Sequence, residues 1–105
     1  MEAIYSVADL ERVATRSGSH FFSPSAKRFF SSRIGGELFG GRYFITSEQQ
    51  TGLYGENIAP RRYTIRTFTI DPSGYVSIDT IGEFQQYHSR AAALVAVAKL
   101  LKADN

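Results

Sequence analysis

The sequence predicts an α+β domain with two N-terminal helices, a three-stranded antiparallel sheet and a C-terminal helix packed on the sheet, in the order α-α-β-β-β-α. Three observations predict it. The stretch Arg61–Ile81 (RRYTIRTFTIDPSGYVSIDTI) sets β-branched and aromatic residues in near-alternation on either side of Asp71-Pro72-Ser73-Gly74, the pattern of a hairpin. Ser6 and Ser23 each stand where a helix would begin, and Arg90–Lys102 carries an apolar stripe at helical spacing.

The first helix is expected over Ser6–Ser17. Ser6 is placed as its N-cap, Asp9 returns the capping-box bond, and Val7, Leu10, Val13 and Ala14 recur at three- and four-residue steps. Gly18 is its expected stop. A second, short helix follows from Ser23-Pro24, because proline at the first helical position loses nothing by its missing N–H. Ala26, Phe29 and Phe30 would face the core and Lys27, Arg28 and Arg33 the solvent, with Gly35-Gly36 as the end.

Arg42–Thr46 reads as the first strand. Ser47–Pro60 (SEQQTGLYGENIAP) is polar and glycine-bearing, the composition of a long loop and a candidate surface for function. In the second strand the alternation slips: Tyr63 and Ile65 share one parity, Phe68 and Ile70 the other. Either a bulge near Arg66-Thr67 restores one face, or the strand makes apolar contacts on both. In the hairpin turn Pro72 presets φ and Asp71 can bond back to the turn. The third strand puts Val76 and Ile78 on one face, Ser77 and Asp79 on the other. Ser89 caps the last helix, whose stripe is Leu94, Val97, Ala98 and Leu101, with Lys99 and Lys102 complementing the dipole at its end.

The 105 residues suit a single domain, 1–105, and 43% hydrophobic residues with eight Phe and six Tyr supply a core. There is no cysteine, which excludes disulfides, thiolate chemistry and cysteine zinc sites. The start Met1-Glu2-Ala3-Ile4-Tyr5 lacks the basic and apolar regions of a signal peptide, and no apolar run has the length of a membrane span. A cytoplasmic location, in a host cell, is the expectation. Net charge is +2, and nine of the twelve basic residues are arginine. That balance permits nucleic-acid binding without calling for it.

Motifs for catalysis are sparse. Gly35-Gly36-Glu37-Leu38-Phe39-Gly40-Gly41-Arg42 has the glycine content of a phosphate loop. It leads into a strand, though, and has no Gly-Lys-Ser/Thr, so it reads as a connector. His20 and His88 have no carboxylate at metal-ligand spacing, and Glu48, Glu56, Asp71, Asp79 and Glu83 are scattered. No catalytic residue, cofactor or metal ligand is assigned. The strongest cluster is Arg61-Arg62-Tyr63 with Arg66. Guanidinium groups beside an aromatic suit a phosphate backbone, stacked bases or an acidic protein surface. Arg61, Arg62, Tyr63 and Arg66, joined by Tyr54 and Glu56 from the long loop, are therefore the expected partner-binding residues. Lys27, Arg28 and Arg33 form a secondary basic group on the outer face of the second helix.

Residues 21–49 (FFSPSAKRFFSSRI, then GGRYFITSEQ) and 61–101 contain Gly41-Arg42-Tyr43-Phe44-Ile45-Thr46-Ser47-Glu48, Asp79-Thr80-Ile81-Gly82-Glu83-Phe84-Gln85 and Ser89-Arg90-Ala91-Ala92-Ala93. On these motifs the chain resembles a family of small proteins common in bacteriophage genomes and their relatives. The resemblance implies a phage or mobile-element accessory protein, and assigns no activity or catalytic residue. Small proteins of that kind often bind host machinery, including CRISPR and other defence systems. A non-enzymatic protein that binds a host protein or ribonucleoprotein complex is accordingly the leading expectation, with homodimerisation through a sheet edge as a possibility and no role at a membrane. A looser likeness is the α-β-β-β-α order of double-stranded-RNA-binding domains, which underlies the alternative of a nucleic-acid-binding module. The last helix departs from those domains by beginning with one base only, Arg90. A small nucleotide-binding protein or enzyme is the third reading.

Overall fold

A computed structural model describes residues 3–29, 32–50, 54 and 59–103. Among them the order is α1 (Val7–Ser17), α2 (Pro24–Phe29), β1 (Arg33–Ile34), β2 (Tyr43–Glu48), β3 (Arg62–Ile70), β4 (Val76–Ile81) and α3 (Arg90–Ala103). The α+β class holds, but the expected three-stranded sheet does not. The sheet has four strands in the order β1-β2-β3-β4, each antiparallel to its neighbour. The additional strand, β1, lies where the second helix was expected to continue: Arg33 pairs with Ser47 and Ile34 with Thr46. The chain leaves α2 after one and a half turns because pairing with β2 satisfies the backbone of Arg33 and Ile34. The Gly35 N–H then donates to the Ile45 carbonyl at 2.9 Å.

The α1 start is built as its sequence predicts. Ser6 Oγ accepts from the Asp9 N–H and the Asp9 carboxylate accepts from the Ser6 N–H, a complete capping box. Gly18 closes the helix at φ 101°, a conformation that costs glycine nothing. Ser23 Oγ accepts from the Ala26 N–H at the start of α2, and Ser89 Oγ from the Ala92 N–H at the start of α3. The β3–β4 turn is held by the Asp71 side chain, which accepts from the N–H groups of Ser73 and Tyr75 and from the Ser73 hydroxyl.

The register through β3 is continuous from Arg62 to Ile70 against both neighbours, so the slip in alternation is no bulge but a strand packed on both faces. Side chains alternate across the sheet. On one face, face A, lie Phe44, Thr46 and Glu48 of β2, Thr64, Arg66 and Phe68 of β3, and Val76, Ile78 and Thr80 of β4. The opposite face B carries Tyr43, Ile45 and Ser47, Tyr63 and Ile65, and Ile81. Each face has its own core. Val7, Leu10 and Ala14 of α1 pack with Phe22, Leu38, Phe44 and Val76 over face A. Ala93 and Val97 of α3 pack with Tyr43, Ile45 and Ile65 over face B. The helices therefore sandwich the sheet rather than share one side of it.

Two expected core positions are corrected. Ala98, placed in the α3 stripe, is exposed, and Ala93 is fully buried in its stead. Ala26, placed in the core from α2, is exposed, and the aromatic filling of face A comes from Phe21 and Phe22, which contact Phe44 at 6.2 Å between ring centroids. The side chains of Phe29 and Phe30 lie outside the described residues.

Candidate functional site

Strand alternation divides the arginine segment. Arg62 and Arg66 belong to face A, while Tyr63, with Arg61 just before the strand, follows the parity of face B. The segment is therefore not one surface.

Arg66 lies in the interior of face A. Its Nε donates to Thr46 Oγ1 at 3.2 Å, its Nη1 to Thr80 Oγ1 at 2.7 Å and its Nη2 to Glu48 Oε2 at 3.5 Å. Glu48, 1% exposed, accepts two further bonds, from Thr46 Oγ1 at 2.7 Å and from Thr64 Oγ1 at 2.8 Å. The Thr64 oxygen in turn accepts from the Gln85 N–H at 2.8 Å. No buried side-chain nitrogen or oxygen among the described residues is left without a partner, which is the condition on which a charged pair tolerates burial. Burial pushes the Arg66 guanidinium below its ordinary value, and the Glu48 charge and hydrogen bond pull it back up. The guanidinium also stands against two rings, with Cζ 5.4 Å from the centroid of Phe21 and 5.5 Å from that of Phe84.

This network forms the floor of a cavity of about 350 Å³, walled by Phe21, Ile34, Lys27 and Phe84. Phe84 reaches its place on the turn that follows β4. Gly82 there takes φ 76°, and a Cβ on it would fall 2.1 Å from the Gln86 Oε1 that accepts from the Glu83 N–H. Gln85 follows at φ 60°, a left-handed conformation seldom adopted by a glutamine. The strand pairing resumes at Tyr87, which exchanges both backbone bonds with Tyr63.

On face B the outcome is different. Arg61 Nη1 donates to Ser47 Oγ at 3.0 Å. Burial, and after it the neighbouring Arg33 charge, lowers the Arg61 pKa from its ordinary value. Arg33, opposite Ser47 on β1, and Arg90, at the first position of α3, line a cleft of about 190 Å³ together with Ser47 and Tyr63. Arg33 and Arg90 are exposed. Three guanidinium groups thus gather at one end of face B. Arg33 belongs to this group and not, as expected, to the outer face of the second helix; Arg28 is exposed on α2, while Lys27 turns to the cavity wall of face A.

The remaining expected residues are dispersed. Arg62 donates to the His88 ring, whose nitrogen must act as acceptor because a guanidinium has no acceptor atom. Tyr54 is 94% exposed, and Glu56 lies outside the described residues. His20 and Glu11 border a further pocket of about 350 Å³ beside α1, but the Glu11 carboxylate pairs with Lys27 at 3.7 Å. Among the described residues no cluster of three or more potential metal ligands occurs and no helix is long and apolar enough to cross a membrane. Glu48, Thr46, Thr64, Thr80 and Phe84 were not anticipated as site residues. A signal for them existed in Thr46-x-Glu48 and Thr64-x-Arg66, polar pairs at strand spacing on the parity of Phe44 and Phe68.

The fold and these two sites define a small α+β domain with helices on both faces of its sheet, a charged pair enclosed under one face and a basic cleft at the end of the other. Residues 6–98 match the model of a family described as "Family of unknown function (DUF7447)", and with nearly the whole chain inside that match the protein belongs to this family. No curated protein and no solved structure matches the chain.

Proposed function

We propose that the protein is a non-enzymatic binding module that holds an acidic surface of a partner protein or ribonucleoprotein in the cleft of Arg33 and Arg90, with Arg61 beside it. The observation that carries this reading is the sharing of one cleft at the end of face B by Arg33, Arg90 and Tyr63, with Arg61 bonded to Ser47 on its lining and close enough to feel the Arg33 charge. Arginine is the cation best suited to planar, two-pronged recognition of carboxylates, and an adjacent tyrosine adds a flat contact. An accessory role in a phage or mobile element, acting on a host complex such as a defence system, is the biological setting we propose. Its support is the resemblance of the motif stretches.

A protein partner is favoured over a nucleic-acid backbone by the placing of the other bases. Lys27 lines the cavity of face A, on the opposite side of the sheet, so it does not extend the cleft of Arg33 and Arg90 into a track that a phosphate chain could follow. The test is capture of partners from a bacterial lysate with nuclease treatment, comparing the natural protein with the Arg33→Glu/Arg90→Glu double variant. Both residues are exposed, so the variant keeps its circular-dichroism spectrum and its Tm. The expected result is a discrete complex that survives nuclease and is lost with the double variant. Equal capture by the variant would overturn the assignment. Capture abolished by nuclease, with affinity falling steeply as salt rises, would transfer the cleft to nucleic acid.

A further inference from the structure

Among the charged groups of the face A cavity, the hydrogen-bonding capacity left over is that of donors. A guanidinium has five N–H donors, and Arg66 uses three of them, on Thr46, Thr80 and Glu48. Two remain. The acid beside it has little left to offer, since Glu48 Oε1 already accepts from Thr64, and Oε2 from both Thr46 and Arg66. Lys27 on the wall is engaged by Glu11 in an exposed pair at 3.7 Å, which is weak and readily exchanged. A molecule entering the cavity therefore meets spare donors on two cations and an already occupied carboxylate. The remaining walls are mostly apolar: the rings of Phe21 and Phe84 beside the guanidinium, Ala26 of α2 and Ile34 of β1, with Ser32 as the further polar residue. The volume, about 350 Å³, is at the small end for pockets that take organic ligands.

We infer that this cavity binds a small planar aromatic carboxylic acid. The ring lies against Phe21, Phe84 and Ile34, and the carboxylate takes the spare N–H donors of Arg66, with Lys27 closing from the wall. A guanidinium fixed by three hydrogen bonds and two rings presents those donors at little entropic cost, which favours a carboxylate over a single-point acceptor. Phe84, 43% exposed, lines the cavity from a turn set by the left-handed residues Gly82 and Gln85. This site is on the other face of the sheet from the basic cleft, and its test does not depend on that reading.

The experiment is an amide-resolved NMR titration of the full chain with benzoate, and in parallel with benzamide and cyclohexanecarboxylate. Benzoate is expected to give saturable shifts at Lys27, Ile34, Phe84 and Gln85, while the uncharged benzamide and the non-planar acid each bind about tenfold more weakly. Substitution of Arg66 breaks the buried network and tests folding as much as binding. Phe84→Ala is the informative variant, because that side chain is near half-exposed; it is expected to weaken benzoate about tenfold with an unchanged Tm. Equal binding of benzoate and benzamide, shifts centred away from the cavity, or no saturation by about 10 mM benzoate would each overturn the inference.

Discussion

Arg61 and Arg66 stand five residues apart and are treated in opposite ways by the two faces of one sheet. On face A the guanidinium of Arg66 is enclosed, neutralised by Glu48 and fixed by two threonines. Arg61, on the parity of face B, shares its end of the sheet with Arg33 and Arg90, and burial, then the Arg33 charge, lowers its pKa. The same residue type is thus a structural counter-charge on one side and part of a cationic surface on the other. What decides is position in the alternation together with what the facing strand supplies. Glu48 has the parity of Arg66, and Ser47 that of Arg61. A run of arginines in a strand is therefore two half-runs, each to be judged with its own cross-strand partners.

The comparison is broken most severely at Glu48. Glu48→Ala leaves Arg66 buried without its counter-charge and should destabilise the protein by about 3–5 kcal/mol. Chemical denaturation followed by circular dichroism measures it. Replacing both charges with apolar residues of similar volume, as in Glu48→Leu/Arg66→Met, should recover much of that loss, because no lone charge is then left in the interior. If the double variant is as unstable as the sum of the single ones, the network holds face A together in a way that charge pairing does not explain. On face B, Arg33→Glu or Arg90→Glu should change stability by no more than about 0.5 kcal/mol, as surface substitutions do.

Smaller effects sharpen the contrast. Thr64 Oγ1 both donates to Glu48 and accepts from Gln85, so Thr64→Val removes a partner from each and should cost about 1–3 kcal/mol. Thr67, on the other parity, bonds only the Arg42 carbonyl at an exposed position, and the same substitution there should cost less than about 1 kcal/mol. Along α3, Ala93 is fully buried against the sheet while Ala98 is exposed. Ala93→Leu should therefore destabilise by about 1–3 kcal/mol through overpacking, and Ala98→Leu by less than about 0.5 kcal/mol. Thermal unfolding of the two variants distinguishes this register from one with Ala98 inward.

Legibility followed the range of the forces involved. The capped start of α1, its Gly18 stop, the Asp71–Gly74 turn and the alternation of β4 are local, and each was readable from a few consecutive residues. The strand β1 was not. Two residues of ordinary strand propensity form it only because β2 offers a free edge, and nothing within Ser32–Gly36 announces that partner. The stripe of α3 was displaced for a related reason: a helix this rich in alanine has little contrast between its faces, so packing against Ile45 and Ile65 decides which alanine is buried. For the site, Arg66 was grouped with Arg61, Arg62 and Tyr63, whereas its side chain bonds Glu48, Thr46 and Thr80. Its pairing with Glu48 spans 18 residues and two strands, and sequence spacing carries no such register. Arg33 and Arg90 needed the same long-range information to join Arg61.

The smallest expected effects come from two exposed carboxylates that serve local structure, one at the start of α1 and one in the β3–β4 turn. The Asp9 carboxyl is held below its ordinary value by the Tyr5 N–H and then by Arg12, and that of Asp71 by the Ser73 hydroxyl and then by the Tyr75 N–H. Both folded-state pKa values are depressed. Their stabilising contribution is therefore fully present above the unfolded value, about 3.9, and is lost as pH falls through the folded one. Stability should accordingly decline below about pH 4, and Asp9→Asn and Asp71→Asn should each flatten part of that decline. The two differ in what remains after neutralisation. An asparagine at 71 can still accept through its side-chain oxygen and keep the turn. An asparagine at 9 loses the charge that favours a helix N-terminus and attracts Arg12. At neutral pH, Asp9→Asn should therefore lower Tm more than Asp71→Asn, and the reverse order would mean that the turn, rather than the cap, depends on charge.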